Sequence, residues 1–157
     1  RIIRFYPQVL FIFIGDGPLR ESLVKKSTML GINRHVLFFG SQKQSIVALY
    51  HSAADLFVLP SLYEGMPNVV MEAFASGVPA VATDVSGTAA LVHDKVNGLL
   101  VRPKNVDQLT AALLTLLKNE KLLTLYGKAA RRTITSLKLT WDHSAQNHIK
   151  LYRTLIQ

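Results

Sequence analysis

Apolar positions along the chain fall into five short runs, each followed by a stretch that is polar or helically spaced. Val9 to Ile14, Val36 to Phe39, Leu56 to Leu59, Val78 to Thr83 and Gly98 to Val101 predict strands. The first and third runs are continuous, as in strands buried within a parallel sheet. Helices are predicted from about Leu19 to Leu30, from the 41–45 loop to about Ser52, and from about Pro67 to Gly77. Three more follow the last strand, at about 106–119, 120–136 and 140–156. On the first of these, Leu109, Leu113 and Leu116/Leu117 form the apolar face. On the last, Trp141, His148, Leu151, Tyr152 and Leu155 recur at helical spacing, with Trp141 expected in the core. Strand and helix alternating five times predict a right-handed, mostly parallel sheet with helices on both sides. Ligands of such sheets bind at the carboxyl ends of the strands.

The helix from Pro67 has clear ends. Proline suits a first turn because it lacks the amide that would go unbonded there, and Gly77 can close the helix in a left-handed conformation before Pro79. Asn68, Glu72 and Ser76, spaced by four, share one face; Val70, Ala73 and Phe74 point elsewhere, toward the sheet. The amides of Asn68 and Val69 attract anions, and the helix dipole adds to this. Glu64 precedes the helix in the 61–66 loop, and Glu72 lies more than one turn inside it. Phosphate at the amides with hydroxyls at the two carboxylates describes a nucleotide sugar.

Composition narrows the picture. The chain has 157 residues, 49% apolar and 18% charged, enough for one globular domain with a core. It contains no cysteine, so neither disulfides nor cysteine metal sites arise. No apolar run reaches the length of a membrane span. The chain opens on Arg1-Ile2-Ile3-Arg4, in the middle of an element, as expected of an excised piece of a longer protein. The net charge of +8 is concentrated after Lys118. There Lys118, Lys121, Lys128, Arg131, Arg132, Lys138, Lys150 and Arg153 face only Glu120 and Asp142. A solvated helix surface is the plain expectation; anionic lipid or another domain are the functional ones. No recognition motif points to nucleic acid.

Other chemistry is sparse. Gly15-Asp16-Gly17-Pro18 follows a strand and precedes a helix, but Arg20 occupies the third glycine position of Gly-x-Gly-x-x-Gly, so a tight turn is expected. His51 is read as a capping or partly buried histidine. His93 and Asp94 lack a third ligand at metal spacing and are read as surface.

Pro60-Ser61, Glu64-Gly65, Glu72-Ala73, Gly77-Val78-Pro79 and Ala82-Thr83-Asp84 together resemble the signature of the family 4 retaining glycosyltransferases, whose fold is GT-B. The resemblance runs from Gly15 to Val101 and covers the donor-binding half of such an enzyme. It implies a Rossmann-like three-layer α/β/α domain spanning 1–157. The N-terminal acceptor domain and the first strand of this domain would lie outside the chain, and helix 140–156 would cross toward that missing domain.

The implied activity is hexosyl transfer, with retention, from a nucleotide-diphosphate sugar to a glycan or lipid-linked acceptor in polysaccharide biosynthesis. Glu64 is then the catalytic candidate and holds hydroxyls of the donor sugar, while Glu72 holds the ribose. The amides of Asn68 and Val69 take the phosphates, beside Pro67, and Gly65 and Met66 shape the pocket under the sugar. Gly40, Ser41 and Gln42 match the loop that touches the base, and Gly15 the loop at the same strand ends. UDP is expected over GDP or ADP, with no cofactor and no essential metal.

The family's basic pair precedes the first strand, outside this chain, so the piece alone is expected to be inactive. Its glutamate after the fourth strand is replaced here by Ala89-Ala90. The expected location is cytoplasmic, with peripheral contact to the inner face of the membrane. Two alternatives stand beside this reading: a non-catalytic nucleotide-binding or interaction module, and a nucleotide-sugar epimerase of the same fold. A redox Rossmann domain is disfavoured by Arg20 and by the absence of an acidic ribose clamp.

Overall fold

The computed structural model describes residues 1–156. The chain divides after Tyr50 into two compact units. In the first, β1 (Phe11–Phe13) pairs in parallel with β2 (Val36–Phe38), Ile12 opposite Leu37. Helix α1 (Arg20–Met29) connects them, and α2 (Gln44–Ala53) follows and runs through the division. The expectation that Val9 to Ile14 forms a buried strand needs correction. The strand is shorter, and Ile12 and Phe13 are exposed. An apolar run reports what a strand would bury, and a two-stranded ribbon has little to bury it with. Phe13 instead stacks on Phe38, with ring centroids 5.0 Å apart.

The second unit holds the three-stranded parallel sheet β3 (Phe57–Leu59), β4 (Ala80–Thr83) and β5 (Gly98–Val101), with β4 in the centre. Phe57 and Gly98 both lie opposite Ala80, which sets the register. All four residues of β4 are buried. Helix α3 (Asn68–Ala75) packs on β3 and β4, α6 (Glu120–Ser136) packs on α3 and β5, and Val70, Phe74, Ala80, Ala82, Leu91, Val92, Ala130 and Ile134 make one core. Helix α5 (Val106–Leu117) packs on β4 and β5 through a face that includes Leu113 and Leu116.

The connection after β4 contains a short helix α4 (Ser86–Ala89), and one predicted feature of this unit changes. Trp141, expected in the core, is 86% exposed at the start of α7 (Trp141–Leu155), a helix with no buried residue. Leu151 and Leu155 are exposed on the same helix. The amphipathic pattern of α7 specifies an apolar face but not a partner for it.

The order β3–α3–β4–α4–β5 runs every strand of the second unit in the same direction. The loops that leave β3 and β4 therefore emerge at the same end of the sheet.

Candidate active site

Helix α3 forms close to where the sequence predicts it, with Pro67 just before the first turn instead of within it. Pro67 is the N-cap, with extended backbone at φ −75° and ψ 101°. Val70 N–H bonds the Pro67 carbonyl at 3.0 Å, so the Asn68 and Val69 amides precede the first bond of the helix. At the other end Gly77 adopts φ 79°. Its amide donates to the Phe74 carbonyl and that of Val78 to the Ala73 carbonyl, the paired closure that a left-handed glycine permits.

The 60–66 loop is held from three directions. Thr83, at the end of β4, donates its hydroxyl to the Ser61 carbonyl. Ser61 in turn donates its own hydroxyl to Glu64 Oε1 at 2.6 Å, a short bond to a charged acceptor. From below, Gly87 in α4 touches the loop backbone. A Cβ at Gly87 would stand 2.1 Å from the Gly65 carbonyl oxygen and 2.5 Å from that of Glu64. The result is a Glu64 carboxylate that is oriented yet partly open, with Gly65 and Met66 exposed beside it.

Glu72 is one turn inside α3, and its side chain is 32% exposed. Behind it lies His51, in the last turn of α2, with Nε2 3.8 Å from Glu72 Oε2. His51 is 8% exposed and packs edge-on against Phe57, centroids 5.4 Å apart. Burial lowers the pKa of its imidazole, and the Glu72 charge pulls it partway back. A capping or partly buried histidine was expected; its full burial and its position beside Glu72 were not.

In the first unit the candidate loops also meet. Gly15 N–H donates to the Gly40 carbonyl at 2.8 Å, which joins the loop after β1 to the loop after β2. Gln42 folds back to donate its Nε2 to the Phe39 carbonyl at 2.8 Å, and Ser41 is exposed beside it. The structure thus brings Gly15, Gly40, Ser41 and Gln42 together in one unit, and Glu64, Gly65, Met66, Pro67, Asn68, Val69 and Glu72 together in the other.

Sequence reasoning missed Gly87, the roles of Ser61 and Thr83, the placement of His51, and Asn97. Asn97 is fully buried. It accepts from His93 N–H at 2.8 Å, and donates to the Leu91 carbonyl and the Thr133 hydroxyl at 3.0 Å each. Asn97-Gly98 reads as a turn signal, and nothing local announces the contact with α6.

The second unit thus sets the open start of α3 and two carboxylates, Glu64 before it and Glu72 within it, beside the loop that leaves β3. Comparison with known proteins makes this specific: residues 2–133 match the family described as glycosyl transferases group 1, and the chain belongs to it. Its Rossmann-like fold is the one expected of a GT-B half. An uncharacterized glycosyltransferase of Methanocaldococcus jannaschii is 27% identical over 99% of this chain and 41% of its own length. The UDP-Gal:alpha-D-GlcNAc-diphosphoundecaprenol alpha-1,3-galactosyltransferase of Escherichia coli is 30% identical, over 83% of this chain and 33% of its own. Among solved structures, Anabaena HepE in complex with UDP and glucose superimposes with a TM-score of 0.86 at 25% identity, covering 94% of this chain and 41% of that one. The chain therefore spans between a third and about two fifths of the length of these relatives. Among the described residues, no helix is long and apolar enough to cross a membrane.

Proposed function

We propose that the chain is the donor-binding half of a retaining family 4 glycosyltransferase that moves a hexose from a UDP-sugar to a glycan or lipid-linked acceptor. The observation that carries this reading is the placement of two carboxylates about one open helix start. Glu64 is four residues before Asn68 and Glu72 four after, with the unspent Asn68 and Val69 amides between them. The amides supply a cradle for a diphosphate. Each carboxylate accepts hydroxyl protons, Glu64 from the donor sugar and Glu72 from the ribose.

As the donor breaks, negative charge grows on the departing diphosphate, and fixed amides aimed at that charge stabilise it without reorganisation. Glu64 positions the sugar for this step; no side chain of the loop is assigned as a covalent nucleophile, and no essential metal is proposed. Gly65 and Met66 lie under the sugar. Gly40, Ser41 and Gln42 are assigned to the base, and Gly15 to a backbone contact, on the family resemblance. The UDP donor and lipid-linked acceptor are supported by the named substrates of the Escherichia coli relative and by the UDP and glucose held by HepE.

Turnover is proposed to need the rest of a chain as long as these relatives, and the protein is placed in the cytoplasm, at the membrane's inner face through its basic α6 and α7. The test is transfer by the full-length protein from an α-linked UDP-hexose, with the product anomer read by NMR. An α-linked product supports retention. A β-linked product contradicts it, and absence of transfer from any nucleotide sugar contradicts the enzyme reading.

A further inference from the structure

We infer that His51 is a positioning residue for Glu72, forming the wall behind the carboxylate and setting the orientation in which it meets ligand hydroxyls. The inference rests on the reading of Glu72 as a hydroxyl-binding group. It starts from an unusual juxtaposition. A buried histidine Nε2 without a hydrogen-bond partner stands 3.8 Å from a carboxylate oxygen that is itself at the edge of solvent. Buried polar atoms are rarely left so. The separation is about 1 Å longer than a charge-assisted hydrogen bond, the distance that the proposed contact closes.

The rest of the pocket leaves the ring little choice. Phe57 packs edge-on against the imidazole and fixes its plane. Apart from Glu72, no charged side chain belongs to α3 or β3, and α2 carries none besides His51 itself. Asp55, in the connection from α2 to β3, is exposed. Glu72 is the charged group that acts on His51, and burial keeps the ring neutral near pH 7. A neutral ring with its proton on Nε2 donates to Glu72 without cancelling the carboxylate's charge. When a ligand covers Glu72 and water withdraws, that donor gains weight, because the charge then depends on fixed partners.

The experiment uses full-length protein and UDP as the probe. Isothermal titration at pH 7.5 compares wild type, Glu72→Gln, His51→Gln and His51→Leu. His51 ionisation is followed by NMR in wild type and Glu72→Gln. His51→Leu should bind UDP about tenfold more weakly, the equivalent of one hydrogen bond, and His51→Gln, which retains a donor, should recover most of the loss. His51 should titrate at lower pH in Glu72→Gln than in wild type. Wild-type affinity in His51→Leu, with binding lost in Glu72→Gln, overturns the inference and leaves the donor reading intact. An identical His51 titration in both proteins also overturns it, whatever the fold of the His51 variants. Full affinity in Glu72→Gln, or no UDP binding by wild type, removes the donor reading and the inference together.

Discussion

Gly87 lies so close under Gly65 that a single added methyl would stand 2.1 Å from the Gly65 carbonyl oxygen. The neighbour is backbone and cannot rotate away. Gly87→Ala is therefore expected to push the 64–65 segment off α4, costing about 1–3 kcal/mol of stability. Activity should fall further than stability, because Glu64 moves with the segment. Urea midpoints together with kcat/KM of the full-length protein check this. An alanine variant with both values unchanged would show that the loop has room the structure does not.

Ser61 is the local support of Glu64. Ser61→Ala removes the 2.6 Å bond and leaves the carboxylate free to swing. We expect kcat/KM to drop by about tenfold, or ~1.4 kcal/mol, with a much smaller change in the urea midpoint. Ser61→Thr, which keeps the hydroxyl, should retain most activity. Equal losses in the alanine and threonine variants would point to packing instead of the hydrogen bond.

Asn97 tests the frame that carries the site. Two of its hydrogen bonds, with the His93 amide and the Leu91 carbonyl, lie within the 91–97 connection, and the third ties it to Thr133 on α6. Asn97→Leu strands the His93 amide and the Leu91 carbonyl, and should cost about 2–3 kcal/mol. Denaturant unfolding measures this directly, and a loss below half a kcal/mol would mean that water or rearrangement replaces the partners.

His51 gives stability a pH dependence of known sign. Its folded pKa is lowered, chiefly by burial, while the unfolded value is about 6.5. Below 6.5 the unfolded chain binds the proton more readily than the folded one, so stability rises with pH in that window. The contribution is fully present above 6.5 and is lost as pH falls toward the folded value. His51→Phe should flatten the part of the urea-midpoint profile just below pH 6.5. A profile unchanged by the substitution would remove His51 as the cause.

These cases show what the sequence made legible. Helix α3 was readable because Pro67, the spacing of Val70, Ala73 and Phe74, and Gly77 are all local signals. The parallel order followed from the alternation of strand and helix, and Glu64 and Glu72 from their motif. Contacts between distant segments left no such trace. His51 meets Glu72, Thr83 meets Ser61, and Gly87 meets Gly65 only after the sheet has placed the ends of α2, β3 and β4 beside one another. Coverage was equally invisible. The runs in β1 and α7 are apolar enough to be buried, but Phe13 and Trp141 are exposed because periodicity does not report whether a second layer is present.

If the Glu72 side of α3 holds the ribose of a uridine nucleotide, calorimetric titration of the full-length protein with UDP, GDP, ADP and NADH, repeated with Glu72→Ala, reads it. We predict binding of UDP in preference to the other three, weakened at least tenfold by the substitution through loss of a charge-assisted hydrogen bond to the ribose. Equal UDP affinity in wild type and Glu72→Ala, or binding of NADH in place of UDP, would contradict it.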